Sequence, residues 1–426
     1  MIGGGGREHA MAWALARSPL VTEVLIAPGN AGTAAEPKSR NVPVSATDLD
    51  GLVRLATDES VDLTIVGPEQ PLVAGIVDRF GARGLKCFGP TAAGAMLEGS
   101  KAYTKDFLVR HGIPTAKYAT FTSSAQAQAY VATLKPPIVI KADGLAAGKG
   151  VIITRSAHEA NDTLGHILDG GLFGTSGARV VVEEFLEGEE ASFIAMVDGT
   201  TVVPLASSQD HKTRDDGDRG PNTGGMGAYS PAPVVTEAVH RRVMDEIMLP
   251  TVRGLAADGI HYRGFLYAGL MIDDEGAPKV IEFNCRLGDP ETQPILFRLR
   301  SDLAQLCLRS FDGTLGAAPI QWDSRAAVGV VMASRGYPGA YEKGKPISGL
   351  DTVLGEDAKV FHAGTRLENG KVLTDGGRVL CAVALGATVS AAAERAYETV
   401  AKVTWEGAFW RSDIGYRAMQ RERSSG

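Results

Sequence analysis

The chain has 426 residues, 44% of them hydrophobic and 22% charged, with a formal net charge of −7. That length exceeds what one hydrophobic core serves and predicts two to four compact domains. An acidic balance without a basic tract argues against a nucleic-acid partner, which would need clustered Lys and Arg to displace counterions. No apolar run approaches the ~20 residues of a membrane span. Arg7, Glu8 and His9 interrupt the start of the chain, so it lacks the apolar stretch of a signal peptide. Cys87, Cys285, Cys307 and Cys381 are scattered, which argues against a zinc site or a disulfide framework. A reduced cytoplasmic protein is expected, with neither nucleic acid nor membrane as partner.

In the first hundred residues, the apolar runs Val24 to Ala27 and Leu63 to Val66 read as buried strands ending in Gly/Pro turns. This is the rhythm of an open parallel α/β sheet, whose ligands gather beyond the carboxyl ends of the strands. A helix is predicted over Gly99 to Arg110. Strands follow at Pro137 to Ala142, Gly150 to Thr154 and Arg179 to Phe185. Ala191 to Val197 and Thr200 to Leu205 flank the Asp198-Gly199 hairpin signal. Thr236 to Asp258 is helical in pattern, and Phe265 to Ile272 pairs with Lys279 to Cys285. In the last hundred residues strands are expected at Ala326 to Ala333 and Val379 to Ala384. Val389, Ala393, Ala396, Val400 and Val403 share one helical face. The tail from Arg421 has nothing to bury and is expected to fray. The chain shows no internal repeat.

Three stretches carry chemistry. Lys141 to Gly150 is a hairpin holding Gly144, Gly148 and Gly150 with Lys141 and Lys149. Its backbone N–H groups and ammonium groups suit polyphosphate. Its glycine spacing and its following strand separate it from a Walker A loop; a solvated surface hairpin is the bland alternative. Next, the apolar strand ending in Glu183, Glu184, Phe185 and Leu186 can offer adenine a backbone edge, with Glu190 as an acceptor for ribose. Acids after a strand are more often a solvated turn. Third, Glu282, Asn284 and Arg286 alternate onto one strand face while Ile281, Phe283 and Cys285 take the other. Carboxylate and amide oxygens suit Mg²⁺ or Mn²⁺ bridging phosphates, and arginine can steady an oxyanion. A plain polar face making cross-strand pairs is the alternative. His211 is read as a loop residue facing substrate or solvent. The glycines beside Asp215, Asp216 and Asp218 suit a disordered lid as well as a binding loop.

Gly3 to Ala10, Ala27 to Thr33, Val66 to Leu72, Leu97 to Lys101, Lys141 to Gly150, Gln209 to Lys212, Pro221 to Pro231 and Glu282 to Gln293 together resemble the glycinamide ribonucleotide synthetase family. The resemblance extends through Gly336-Tyr-Pro-Gly339 and Phe361 to Thr365. It implies an α/β (α+β in part) ATP-grasp fold with an N-terminal open parallel α/β domain and a C-terminal α/β domain. Expected boundaries are 1–97 for the N-terminal domain, 98–120 with 190–320 for the central domain, 121–189 for the lid and 321–426 for the C-terminal domain. The implied reaction is ATP-dependent joining of glycine to 5-phosphoribosylamine through a glycyl phosphate, by a monomer or weak dimer. Carried onto this chain, Lys101 and Lys141 hold ATP phosphates. Glu282 and Asn284 hold the metal. Lys141, Arg286 and Asp289 act in catalysis. Gly6, Arg7, Asn30, Gly32, Thr33, Glu69, Asp210, His211, Lys212, Asn222, Thr223, Gly224, Arg286 and Asp289 line the substrate sites.

Two departures stand out. The strand before Glu282 reads Ala268-Gly-Leu-Met-Ile272, without the second acid that ATP-grasp enzymes commonly carry. Only Met1 and Ile2 precede the glycine run where the family has a full strand. A truncated start is the expectation, and adding about five apolar residues should then raise Tm.

Rival readings are another ATP-grasp ligase, a nucleotide sensor without turnover, and a dinucleotide oxidoreductase. The last lacks the G-x-G-x-x-G spacing.

Overall fold

A computed structural model describes residues 1–145, 150–317, 319–352 and 355–425. At the N-terminal end, Ser39–Asn41, Val24–Pro28 and Ile2–Gly3 lie side by side in parallel. Ile2 then bridges Val66, next to the parallel pair Thr64–Ile65 and Cys87–Phe88. Two residues therefore occupy the central position of an open parallel sheet. A cleft of about 330 Å³ lies beside them, lined by Met1, Leu20, Val21, Leu55 and Leu63 among others.

The expected helix at Gly99 to Arg110 begins at Lys101, and a separate helix, Ala92–Gly99, precedes it. Ser100 makes the break. Its backbone is extended, and its hydroxyl accepts the Tyr103 N–H as a cap. Downstream, Tyr118–Phe121, Val180–Glu184, Ile138–Ala142 and Val151–Thr154 form a four-stranded antiparallel sheet. A second antiparallel sheet runs Val202–Pro204, Glu189–Asp198, Arg263–Ile272, Pro278–Asn284. The hairpin predicted at Asp198-Gly199 joins its first two strands, with Gly199 at φ +96°. The helix predicted from Thr236 forms over Glu237–Val243 and Leu249–Ala257. Between them Met244–Met248 widens into a π turn just before Pro250, which has no N–H to give the preceding turn.

The remaining sheet orders Gln209–Asp210, Gly227–Ser230, Ala326–Ser334, Arg378–Gly386 and Ala358–His362, with Ala408–Phe409 off its side. The helix Val389–Lys402 covers it through Val389, Ala393, Ala396 and Val400. Two expectations fail here. The tail does not fray through Ser425: it is a helix, Tyr416–Ser425. The Arg421 guanidinium donates to Glu189 at 2.6 and 2.8 Å, and Glu422 accepts the Val389 N–H at 2.7 Å. Nor is the segment around Asp215, Asp216 and Asp218 a disordered lid. It is a hairpin, Thr213–Asp215 with Arg219–Asn222, tied to the C-terminal segment. Asp218 accepts from Arg411 at 3.0 Å, Tyr416 at 2.6 Å and Arg417. Burial raises the Asp218 pKa, but these donors and His211 outweigh it and hold the carboxylate well below its usual range. All four cysteines are buried and unpaired. Among the described residues no helix is long and apolar enough to cross a membrane.

Candidate active site

The strand Ile138–Ala142 delivers Lys141 into the gap between its own four-stranded sheet and the strand Pro278–Asn284. Its ammonium donates to the Ile281 carbonyl at 2.9 Å and pairs with Glu183 at 3.0 Å. Glu183 pairs with Lys105 on its other oxygen at 2.8 Å. Burial, partly offset by Glu183, lowers the Lys105 pKa to about 8. Lys101 opens its helix at the same place and donates to the Gly144 carbonyl at 3.1 Å. Asp143 accepts from both Ser100 Oγ and the Ala102 N–H, stitching the end of the strand Ile138–Ala142 to that helix start. Burial lowers the Lys101 pKa, and Glu282 opposes the shift. Gly150 ends the hairpin beside the strand Val151–Thr154; Gly148 and Lys149 lie outside the described residues. Where the strand Val180–Glu184 ends, Glu184 accepts the Lys117 N–H at 2.9 Å, and Phe185 is exposed.

Opposite stand Glu282 and Asn284. Burial raises the Glu282 pKa, but Lys212, Lys141 and Lys101 prevail and keep the carboxylate below its usual range. A β-bulge at Ile281 leaves that side chain half-buried, whereas Phe283 and Cys285 pack into the core. Cross-strand from Glu282 sits Gly269, where a Cβ would lie 3.1 Å from Glu282 Cγ. The missing second acid is thus a missing side chain, and any Cβ there would press on Glu282. Among the described residues no group of three or more His, Cys, Asp or Glu forms a metal cage. Two hard oxygen donors fit a divalent cation that takes its other ligands from phosphate and water.

Arg286 is clamped. It pairs with Glu98 at 2.8 Å and Glu69 at 3.5 Å, and donates to Asn284 Oδ1 at 3.1 Å. Glu98 also accepts the Cys285 N–H at 2.7 Å. Burial pushes the Glu98 pKa up against the pull of Arg286. Asp289 accepts from Gln293 at 3.0 Å and pairs with Arg378 at 3.3 Å. Its burial is outweighed by Arg378 and Arg7, so it stays charged. The N-terminal glycine run faces this point: a Cβ at Gly6 would lie 2.6 Å from Gln293 Nε2 and 3.7 Å from Asp289 Oδ1. Arg7 pairs with Glu8 at 2.6 Å and donates to the Leu287 carbonyl.

Beside Glu282 lies a pocket of alternating charge. Lys212 pairs with Glu190 at 2.8 Å. Burial, with Glu291, Glu190 and Glu282 against Lys212, pushes Asp210 up to about 8. Burial is outweighed by Glu190, Asp210 and Glu282 at Lys212, which is raised well above its ordinary value. Glu291 accepts from Ser192 at 3.1 Å and Tyr267 at 3.0 Å.

Several sequence-selected residues are spent elsewhere. His211 is not an open loop residue: it is buried and accepts the Gly415 N–H at 2.9 Å. Asn30 folds its own loop, accepting from Gly32 and Thr33 and donating to the Gly4 and His362 carbonyls. Thr33 donates to the Asn30 carbonyl and contacts Asn41. Gly32 lies so near His9 and His362 that any side chain would collide. Thr223 closes its turn on the Lys212 carbonyl, Gly224 donates to Tyr337, and Asn222 is exposed.

With the geometry in place, comparison with known proteins decides the kinship. Residues 1–98 match the phosphoribosylglycinamide synthetase N domain, 99–292 its ATP-grasp (A) domain and 327–417 its C domain. The chain belongs to the phosphoribosylglycinamide synthetase family. A phosphoribosylamine–glycine ligase of Allochromatium vinosum is 62% identical over 424 residues, covering 100% of this chain and 99% of that protein. The crystal structure of the Thermotoga maritima phosphoribosylamine–glycine ligase aligns with a TM-score of 0.84 at 37% identity, covering 97% of this chain and 98% of that one. The biotin carboxylase domain of Hydrogenobacter thermophilus 2-oxoglutarate carboxylase aligns with a TM-score of 0.75 at 16% identity, over 96% and 90%, and shares the fold. The ATP-grasp architecture implied by the sequence therefore stands, and with it the use of ATP and a divalent metal.

Sequence reasoning missed Lys105, Glu98, Glu291 and Arg378. Lys105 follows Lys101 by one helical turn, a spacing that places both on one face. Glu98 and Glu291 lie inside motifs already singled out. Arg378 heads an apolar strand and carries no local signal.

Proposed function

We propose that the chain joins glycine to 5-phosphoribosylamine at the cost of ATP, giving glycinamide ribonucleotide, ADP and phosphate. The match to the synthetase domains, in order from residue 1 to 417, carries this reading. A glycine carboxylate oxygen attacks the γ-phosphorus and the bond to ADP breaks, leaving glycyl phosphate. The amine of phosphoribosylamine then attacks the carbonyl carbon, loses a proton, and phosphate departs. Catalysis here is positioning and charge neutralisation. Lys101 and Lys141 draw the polyphosphate between lid and strand, and the Glu184 to Leu186 backbone edge seats adenine. Glu190 accepts from ribose on the oxygen left free by Lys212. Mg²⁺ or Mn²⁺, held by Glu282 and Asn284, would spread the charge on the phosphate oxygens. Arg286, fixed by Glu98 and Glu69, stabilises the acyl phosphate, and the Lys212 ammonium suits the carboxylate of the amino acid. Asp289 and the glycine run at Gly6 and Arg7 receive phosphoribosylamine. We read the protein as a cytoplasmic monomer or weak dimer.

Following ADP release with glycine, phosphoribosylamine or metal omitted in turn tests this. Full turnover should require all three; sustained release without phosphoribosylamine would refute the ligase reading.

A further inference from the structure

The strand Arg378–Gly386 sends its first side chain towards the loop that carries Asp289. Arg378, the first residue of the strand Arg378–Gly386, donates to the Asp289 carbonyl at 2.7 Å and to the Gly224 and Gly225 carbonyls at 2.6 and 3.3 Å. Its other terminal nitrogen pairs with the Asp289 carboxylate at 3.3 Å. One guanidinium thus binds two loops from different parts of the chain, the Asp289-Pro290 turn and the glycine turn at 224–225. A planar fork of donors suits this work, where an ammonium would hold fewer partners. The two loops have little freedom otherwise. Gly225, at φ +112°, packs its Cα directly on Pro290, where any side chain would collide. Tyr337 holds the same turn from the other side, accepting the Gly224 N–H at 2.8 Å. The carboxylate so fixed is the one that faces Gly6 and Gln293 at the mouth of the N-terminal glycine run.

We propose that Arg378 is a positioning residue for the amine acceptor: through it the C-terminal sheet sets the place of Asp289 and the 224–225 turn, and so the geometry in which phosphoribosylamine meets the acyl phosphate. This rests on the acceptor reading given above. Lys101, Lys141, Glu282 and Asn284 make no contact with Arg378 among the hydrogen bonds and ion pairs of the described residues, so nucleotide binding lies outside its reach. A simple inter-domain staple would instead weaken every substrate alike.

The test is steady-state kinetics of Arg378→Ala and Arg378→Lys in the full chain, with each substrate varied in turn and phosphoribosylamine generated in situ. Misplacement by about an ångström costs on the order of 10²-fold. Arg378→Ala should therefore lose roughly that factor in kcat/KM for phosphoribosylamine, with KM for ATP within about twofold of wild type, and Arg378→Lys should recover part of the loss. Equal losses for all three substrates, a loss confined to ATP or glycine, or no loss would overturn the proposal. Should Arg378→Ala fail to fold, Tyr337→Phe decides. A several-fold rise in KM for phosphoribosylamine alone supports the assignment, and unchanged constants overturn it. The wild-type omission assay separates this from the parent reading, which fails only if wild type itself does not need the acceptor.

Discussion

The sheet from Tyr118 to Glu184 and the sheet around Ala358–His362 flank the same cleft, yet they are built into the molecule differently. The first closes over its own apolar core, where Ile138, Ile140, Leu164, Val180 and Val182 meet. It reaches the rest of the chain through polar ties, Lys141 on the Ile281 carbonyl, Lys105 on Glu183 and Asp143 on the start of the Lys101 helix. The second shares its core. Phe361, Cys381, Val383 and Leu385 pack in one cluster with Met11, Ile26 and Phe88 of the N-terminal unit and with Ile295 and Phe297 between them. Polar contacts reinforce that junction: the His362 N–H donates to His9 at 2.7 Å, and Asn30 donates to the His362 carbonyl. A unit with a private core can open while the remainder stays folded; a unit sharing its core cannot. On the proposed reading the nucleotide would be covered by the separable element, and the acceptor would be framed by the inseparable one.

The largest effect is expected at Glu282, where the charge of both sides converges. Glu282→Gln keeps the strand but removes the carboxylate proposed to hold the metal, forfeiting several kcal/mol of charge stabilisation. Turnover should fall by about 10²–10³-fold with an unchanged circular dichroism spectrum, and near-normal turnover would exclude the assigned role. Stability separates the two sheets next. Ile140→Ala and Phe361→Ala each leave a buried cavity costing about 2–5 kcal/mol. Hydrogen exchange should speed up only between residues 118 and 184 in the first variant, and across the N-terminal unit as well as the sheet around Ala358–His362 in the second. Global acceleration in Ile140→Ala would dissolve the contrast. Lys141→Ala should raise the KM for ATP about tenfold or more, since a charge-assisted contact contributes about 1.5–3 kcal/mol. It also leaves the Glu183 carboxylate to Lys105 alone, so a lower melting point of the lid should accompany it; an unchanged KM would contradict the phosphate role.

The smallest effect concerns the junction between His9 and His362. Burial, then the nearby His9 and Lys359, lowers the His362 pKa to about 3; burial also lowers that of His9 against the pull of Glu36. Both are neutral in the folded protein, while the unfolded chain takes up protons below about 6.5. The unfolded state then binds more protons, so stability falls as pH drops through 6.5 towards 3. A loss of about 1–2 kcal/mol between pH 6.5 and 5 is expected from this junction. Denaturant midpoints measured at those two pH values check it, and His362→Gln should shrink the difference.

The legible parts of the fold were those with local causes. The Asp198-Gly199 hairpin, the helix through Ala393 and Ala396, and the alternation that puts Glu282 beside Asn284 each follow from a period or a turn residue a few positions long. The break at Ser100 is also local, yet the helical pattern ran through it; a cap beside Gly99 was the available clue. What stayed hidden depends on distant partners. The terminal helix looked unanchored until Glu189 and Val389 supplied partners for Arg421 and Glu422. His211 looked available because nothing nearby announces that Gly415 will occupy its ring nitrogen. Asn30 and Thr33 are in the loops the sequence singled out, but their side chains build the turn. Arg378 could be found only by folding the chain.

The most direct measurement is a crystal structure of the chain with a non-hydrolysable ATP analogue and Mg²⁺. The expected result puts the triphosphate between Lys101 and Lys141 on one side and Glu282 with Asn284 on the other, and adenine against the Glu184 to Leu186 edge. A nucleotide bound over the N-terminal glycine run, with that gap empty, would contradict it.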